Sequence, residues 1–251
     1  MNSVIAPDLA LIGGTGLYRL AGLENVSEQL IETPWGRPSD VVVTGQLHGR
    51  RLAFLARHGS THSIAPHQIN YRANLHALKA LGATRVIGIN AVGGIREDMG
   101  PRVLVVPDQI IDYTHGRITS FCDGTEAAVR HIDFSEPYSR QMRNDLIDSC
   151  RRAGIGVVDE GCYGATQGPR LETRAEITRM KRDGCDLVGM TGMPEAALAR
   201  ELDLDYACLS LVANWAAGCG DEAEISLDEI FANLEQATAK IPLILEAMLG
   251  E

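Results

Sequence analysis

The chain has 251 residues, of which 45% are hydrophobic and 22% are charged. This composition is that of a folded globular protein and excludes a disordered or collagen-like chain. The formal net charge of −10 argues against a nucleic-acid-binding protein, because contacts to a phosphate backbone need clustered Lys and Arg side chains.

Short β-branched runs alternate with longer amphipathic segments along the chain, which is typical of strands and helices layered around one sheet. In chain order, strands are predicted at residues 9–12, 40–44, 51–56, 86–89, 103–106, 157–160, 163–165, 187–190 and 206–211. Helices, with apolar residues spaced by three and four, are predicted at residues 71–81, 139–153, 174–183, 194–202 and 226–248. Ser226 and Glu229 form a capping-box pattern at the start of the last helix. Neither a repeat nor a linker interrupts this order, so we predict one α/β domain over residues 1–251 with a mixed central sheet.

The cysteines and the first residues favour a cytoplasmic location. The six scattered cysteines include no C-x-x-C pair, which is typical of free thiols in a reducing compartment: Cys122, Cys150, Cys162, Cys185, Cys208 and Cys219. The run from Met1 to Ala10 has no basic residues ahead of its apolar part, and no segment reaches the roughly 18 apolar residues that cross a membrane. We therefore expect no secretion signal and no membrane segment.

The first candidate ligand site follows the first predicted strand. In Gly13-Gly14-Thr15-Gly16, the missing side chains leave backbone N–H groups and the Thr15 hydroxyl free to surround an anion such as phosphate. The same run also occurs in ordinary tight turns. It lacks both a Walker lysine and a full G-x-G-x-x-G pattern, so alone it leaves the two alternatives open.

The second candidate lies at the end of the strand at 51–56. Arg57 beside His58 offers charge-assisted hydrogen-bond donors for a phosphate dianion, at the end of the sheet where α/β proteins usually bind ligands. The alternatives are a solvated arginine and structural histidines. We expect no metal here, because His58 and His62 are spaced as H-x-x-x-H without a third ligand.

Further small or polar residues follow the later predicted strands. They lie in the segments 90–94, 166–176, 189–195 and 212–218. In these segments Glu172 faces either solvent or a ligand, Met190 is by default a core residue, and Asn214 is by default a loop cap.

Taken in order, these segments resemble the trimeric branch of the nucleoside phosphorylases, most closely the methylthioadenosine phosphorylase family. The resemblance covers nearly the whole chain and rests on IGGTG (12–16), TPWG (33–36), ARHG (56–59), NYRAN (70–74), GPR (168–170) and MT with PE (190–195). It implies the nucleoside phosphorylase fold, a three-layer α/β/α sandwich with a mixed central sheet. It also implies a homotrimer that uses inorganic phosphate as co-substrate and needs no metal or organic cofactor.

The resemblance also implies roles for individual residues. The residues implied to bind phosphate are Thr15, Arg57, His58, Asn90, Ala91 and Thr191, with Asn90 standing where the family usually has Thr. Met190 is implied to pack against the ribose, and Leu227 and Ile230 to line the pocket for a 5′-methylthio group. No histidine follows His131, which favours an apolar 5′ substituent over a 5′-hydroxyl. His131 itself matches a segment that reaches into the neighbouring subunit's pocket.

The residues implied to contact the base depart from the adenine-specific pattern. Those enzymes carry two aspartates where this chain has Asn214 and Ala216 on either side of Trp215. An Asn amide can donate to a purine O6 and accept from N7–H. Glu172 falls where 6-oxopurine phosphorylases keep a Glu that accepts from N1–H, and Leu171 replaces a stacking Phe. Adenine would set its N1 acceptor against Glu172, a mismatch that costs roughly 1–3 kcal/mol.

These departures predict phosphorolysis of S-methyl-5′-thioinosine to hypoxanthine and 5-methylthioribose 1-phosphate, with Asn214 as the catalytic residue. Two alternatives are enzymes: a methylthioadenosine phosphorylase and a general inosine or guanosine phosphorylase. A third is a non-catalytic purine-binding or scaffold protein on the same fold, which retention of Thr15, Arg57, His58 and Asn214 disfavours.

Overall fold

One mixed sheet organises the fold in the computed structural model, which describes residues 6–122, 124, 129–220 and 226–250. Its strands are β1 Leu9–Gly13, β2 Glu24–Gln29, β3 Val42–Leu47, β4 Arg50–Ala56, β5 Arg85–Gly94, β6 Leu104–Val105, β7 Gln109–Asp112, β8 Val157–Val158, β9 Cys162–Ala165, β10 Leu187–Gly189 and β11 Asp205–Trp215. The helices are α1 Tyr71–Ala80, α2 Arg140–Arg152, α3 Arg174–Asp183, α4 Gly192–Glu201, α5 Leu227–Thr238 and α6 Ile241–Leu249.

The side chains of β1 alternate between two hydrophobic cores, one on each face of the sheet. Ala10 and Ile12 belong to the core that α1 and α4 cover, whereas Leu9 and Leu11 belong to the core that α2, α5 and α6 cover. This is the period-two alternation of a strand buried on both faces. Burying each Leu or Ile side chain contributes about 1.5–3 kcal/mol. The predicted three-layer sandwich is therefore confirmed.

The strand order is β2-β3-β4-β1-β5-β10-β9-β7, while β11 pairs with β5 and β6, and β6 pairs with β8. β1 is parallel to β4 and β5, and β11 is parallel to β5. β2, β3 and β4 pair antiparallel, and β10 is antiparallel to β5. The mixed sheet predicted from the sequence is thus confirmed.

A gap along one edge of β5 positions the site. β11 pairs with β5 over its whole length, so β1 and β10 share the opposite edge. β1 pairs with residues 86–88 of β5 and β10 with Gly93 and Gly94. Because β10 is antiparallel, its carboxyl end points toward the carboxyl end of β1. The edge of β5 between them is left open.

Two features differ from the sequence prediction. The helix predicted at 226–248 is two helices, α5 and α6, because the chain turns at Ala239 and Lys240 and Pro242 occupies the first turn of α6. Ser226 does cap α5, accepting a hydrogen bond from the Glu229 amide. The strands β2 and β7 were not predicted, since β2 is largely exposed and lacks apolar alternation.

In the part of the chain that the structure describes, every helix is too short or too polar to cross a membrane. The expected absence of a secretion signal rests partly on residues 1–5, which lie outside the described ranges.

Candidate active site

A cavity of about 420 Å³ opens where β1 and β10 face each other along β5. It is built at strand ends, as expected for an α/β sheet. Most of the residues singled out from the sequence line it: Thr15, Arg57, His58, Ala91, Leu171, Glu172, Met190, Thr191, Asn214, Ala216, Leu227 and Ile230. Residues far apart in sequence are thereby brought into one site.

Three singled-out residues do not line this cavity. The structure places Asn90 in the buried layer behind Arg57, where its side chain accepts a hydrogen bond from the arginine, and its predicted contact with phosphate stays a prediction. The Trp215 ring packs beside Gly100 and Gly220, away from the cavity. His131 is exposed and lies outside the cavity of its own chain. Its predicted place is in a neighbouring subunit, so that role stays a prediction.

Arg57 is fully buried, and Glu195 balances its charge. Its Nε and Nη2 donate to the two carboxylate oxygens of Glu195 at 2.7 and 2.8 Å, and Nη1 donates to Ile89 O at 2.9 Å. Burial alone acts to lower the pKa of Arg57, but the Glu195 charge and hydrogen bonds outweigh it and hold the pKa above its ordinary value. This pair was not predicted, because the partners are 138 residues apart in the sequence.

A buried polar network extends from this ion pair on both sides. Asn90 accepts from Arg57 Nη2 at 3.0 Å and donates to the Tyr163 hydroxyl at 3.4 Å, while the Tyr206 hydroxyl donates to Glu195 at 2.7 Å. Bidentate, charge-assisted bonds of this kind fix a guanidinium in one orientation. Arg57 is thus held rigid at the cavity wall.

Glycine is needed beside this arginine. A Cβ atom on Gly14 would lie 2.9 Å from Arg57 Nη1 and 2.6 Å from Ile89 O. The Gly-rich run after β1 therefore keeps side chains out of the space between the strand end and the guanidinium. Leu17 N donates to Gly14 O at 3.1 Å, so the run does form a turn, and its predicted contact with an anion stays a prediction.

His58 is neutral at physiological pH. Burial is the main cause that lowers its pKa, to about 4, and the nearby Arg57 and His62 lower it further, against a hydrogen bond to Ile64 O that raises it. A carbonyl can only accept, so His58 Nδ1 is the donor in that 2.8 Å bond. The neutral ring therefore keeps Nε2 as an acceptor, and the predicted contact of His58 with phosphate stays a prediction.

His62 also lines the cavity, with its ring centroid 4.7 Å from that of His58. Its Nδ1 is hydrogen-bonded to the Tyr18 hydroxyl at 3.1 Å. Across the described residues there is no group of three His, Cys, Asp or Glu side chains arranged to hold a metal ion. Nothing in the arrangement of the two histidines calls for one.

Glu172 and Asn214 lie in the same cavity, away from the ion pair. Glu172 Oε1 accepts from the Thr166 hydroxyl at 2.6 Å. Burial raises the pKa of Glu172, and the Thr166 hydrogen bond opposes that rise. The Thr166 hydrogen bond orients this carboxylate at the cavity wall.

A bulge in β11 aims Asn214 at the cavity. The pairing with β5 shifts register between Val212 and Asn214, so that Ala213 and Asn214 both line the cavity although they are consecutive in the strand. Asn214 Nδ2 donates to Trp215 O at 2.6 Å, which orients the amide. The sequence placed Asn214 at a strand end but did not indicate the bulge.

The mouth of the cavity is apolar. Leu227, Ile230, Phe231 and Leu234 of α5 line it at helical spacing, and Phe231 is 53% exposed. Leu227 and Ile230 were predicted to line this pocket, whereas Phe231 and Leu234 were not. The apolar period along 227–234 would have identified them.

Comparison with known proteins agrees with this geometry. The sequence profile of the phosphorylase superfamily matches residues 8–250. The chain is 58% identical to a probable S-methyl-5′-thioinosine phosphorylase of Xanthomonas campestris, over 93% of this chain and 94% of the relative. It is 45% identical to a 6-oxopurine nucleoside phosphorylase of Pyrococcus furiosus, over 84% and 81%.

Solved structures give the same result. Methylthioadenosine phosphorylase from Schistosoma mansoni in complex with adenine superposes with a TM-score of 0.91 at 31% identity, covering 96% of this chain and 90% of that one. The sequence matches and the shared fold show that the chain belongs to the phosphorylase superfamily, as a pentosyltransferase of the nucleoside phosphorylase type.

Proposed function

We propose that the chain splits S-methyl-5′-thioinosine with inorganic phosphate, giving hypoxanthine and 5-methylthioribose 1-phosphate. The observation that carries this proposal is the placement of Glu172 and Asn214 in one cavity, with Ala216 and not an aspartate beside them. Relatives named as probable S-methyl-5′-thioinosine phosphorylases, 51–58% identical to this chain, support it.

The chemistry of the two side chains selects the base. The Glu172 carboxylate accepts from N1–H of hypoxanthine, a group that adenine lacks. The Asn214 amide donates to O6 and accepts from N7–H as the purine leaves. Leaving a buried acceptor against the adenine N1 costs about 1–3 kcal/mol, so the 6-oxopurine is favoured.

The reaction then proceeds by departure of the base and capture of the sugar. The C1′–N9 bond breaks with its electrons moving to the purine, Asn214 stabilises the charge and the proton at N7, and a phosphate oxygen forms the new bond to C1′. The purine gains one proton and hydrogen phosphate gives one up, so the reaction balances without a metal or an organic cofactor. Most of the rate gain comes from holding both reactants in place.

The end of the cavity lined by Thr15, Arg57, His58 and Thr191, which we call the anion end, suits hydrogen phosphate. Thr15 and Thr191 bring their hydroxyl groups to this space, and Arg57 borders it with its orientation fixed by Glu195. The neutral His58 ring keeps an acceptor nitrogen, which can take a hydrogen bond from the P–OH group.

The apolar mouth formed by α5 matches a methylthio group at the 5′ position better than a hydroxyl. We assign the enzyme to the cytoplasm as a homotrimer, with His131 entering the cavity of a neighbouring subunit. The exposure of His131 outside its own cavity supports that arrangement.

A comparison of three nucleosides tests the proposal. Hypoxanthine or adenine release is measured with methylthioinosine, methylthioadenosine and inosine, each with and without phosphate. We expect phosphate-dependent release, with kcat/KM for methylthioinosine about tenfold or more above that for methylthioadenosine. Equal or faster turnover of methylthioadenosine would contradict the base assignment, and equal turnover of inosine would contradict the 5′ assignment.

A further inference from the structure

Arg117 holds together the two segments that carry the site, although it does not itself line the cavity. It lies on the loop after β7 and is half-buried. Its Nη1 donates to Met190 O at 2.8 Å and Met193 O at 2.6 Å, and its Nη2 donates to Thr166 O at 3.1 Å and Gln167 O at 2.8 Å. Four main-chain carbonyls thus converge on one guanidinium.

Two side chains complete its surroundings. Arg117 Nε donates to Gln167 Oε1 at 3.2 Å, Nη1 also reaches the Tyr71 hydroxyl at 3.2 Å, and the guanidinium lies over the Tyr71 ring, 5.7 Å from its centroid. Every nitrogen of the side chain therefore has a partner. All six acceptors are neutral. The Arg117 guanidinium therefore orients main-chain groups and does not pair with a carboxylate.

The segments that Arg117 joins belong to different halves of the cavity. Met190, whose carbonyl oxygen binds Arg117, directly precedes Thr191 in the sequence. Thr191 borders the anion end. Thr166, on the other segment, donates its hydroxyl to Glu172 at the base end. A displacement of either segment therefore moves one binding group relative to the other.

We infer that Arg117 is a positioning residue that fixes the base-binding segment and the phosphate-binding segment in one arrangement. The inference rests on the proposed function, because it takes Glu172 as the base end and Thr191 as the anion end. Carbonyl dipoles that point at one centre repel one another unless a cation with several donors lies between them. A planar guanidinium serves two segments at once, whereas a lysine ammonium has three donors at a single point.

Arg143 provides a matched control. It is also half-buried and also donates to main-chain carbonyls, Pro107 O at 2.9 Å and Asp159 O, but it lies on α2, away from the cavity. Removing either side chain leaves carbonyls without a partner and lowers thermal stability. Only removal of Arg117 is expected to change catalysis and binding.

The test compares Arg117→Ala, Arg117→Lys and Arg143→Ala with the wild type. The kinetics use whichever of the three nucleosides the wild type turns over fastest, so a wrong substrate assignment does not affect the outcome. Calorimetry measures binding of hypoxanthine and of phosphate separately. We expect Arg117→Ala to lower kcat by about 10- to 100-fold and to weaken both ligands, because small displacements of binding groups have large kinetic effects. Arg143→Ala should change neither.

Chemical rescue separates positioning from stability. Guanidinium added to Arg117→Ala should restore part of kcat, and it should not affect Arg143→Ala. If Arg117→Ala does not fold, Arg117→Lys provides the test. We then expect this variant to have a native circular dichroism spectrum and a reduced kcat. The inference is overturned if the Arg117 variants lose only thermal stability, as Arg143→Ala does, or if only one of the two ligands binds more weakly.

Discussion

At the scale of single residues, the same types of side chain do different work according to burial and partners. Arg57 is oriented by a buried carboxylate, whereas Arg117 is held by neutral carbonyl groups. Glu195 is buried and binds Arg57 and Tyr206, whereas Glu172 lines the cavity and accepts from Thr166. The sequence identified Arg57 and Glu172 because they stand beside recognisable motifs. It did not identify Glu195 or Arg117, since their roles depend on contacts across tens of residues.

Glu172→Gln tests the base site. The Gln amide can place a donor where the carboxylate places an acceptor, so we expect kcat/KM for methylthioinosine to fall by about 10- to 100-fold. The ratio of methylthioadenosine to methylthioinosine turnover should rise. Glu246→Gln is the control, because that exposed carboxylate lies on α6 and does not line the cavity. An unchanged nucleoside ratio in Glu172→Gln would remove the basis of the substrate proposal.

His58 should make stability depend on pH. Its pKa is lowered to about 4 in the folded protein, so the unfolded chain binds more protons between pH 4 and its own value near 6.5. The neutral ring therefore contributes stability that is fully present above about pH 6.5 and is lost as the pH falls toward 4. Over this range the free energy of unfolding should fall by about 3 kcal/mol.

Urea unfolding of the wild type and His58→Gln at several pH values measures this contribution. The difference between the two proteins in free energy of unfolding should change steadily between pH 6.5 and pH 4 and be constant above pH 7. Glu172 has the opposite effect, since its raised pKa disfavours the charged folded form, and comparison of the two proteins cancels it. A difference that is constant down to pH 4 would contradict the assignment of a neutral His58.

At the scale of elements, the sequence predicts the buried strands well because both faces of each are apolar. It misses β2, whose exposed residues carry no such pattern, and it joins α5 to α6 because the apolar period continues across the break. The predicted site residues lie just after the ends of strands, which is where α/β sheets bind their ligands. The bulge in β11 was not predictable, since it depends on pairing with β5.

Gly189 illustrates how a strand residue serves the site. A Cβ atom there would lie 2.1 Å from the Tyr163 hydroxyl and 3.0 Å from Val92 Cγ1. We expect Gly189→Ala to lower the free energy of unfolding by about 1–3 kcal/mol, as overpacking of a core does. Gly156→Ala is the control, because nothing lies within 4 Å of a Cβ at that position. Denaturant unfolding of both variants checks this, and equal effects would contradict it.

At the scale of the whole molecule, the net charge of −10 contrasts with a cavity that accepts an anion. Near Arg57 the local charge is already balanced by Glu195. Oriented hydroxyl and backbone donors therefore have to provide most of the attraction for phosphate. The attraction for phosphate therefore depends on the placement of those donors.

Subunit mixing tests whether the site is shared in a trimer. His131→Ala should impair the neighbour's cavity, whereas Glu172→Gln impairs the cavity of its own chain. When the two variants are unfolded together and refolded, a His131→Ala chain beside a Glu172→Gln chain has both groups intact. In randomly mixed trimers about one site in four is then complete. Activity should rise toward that fraction of wild type, with trimer mass confirmed by light scattering. If each cavity instead used only its own chain, the mixture would show no more than the mean of the two variants.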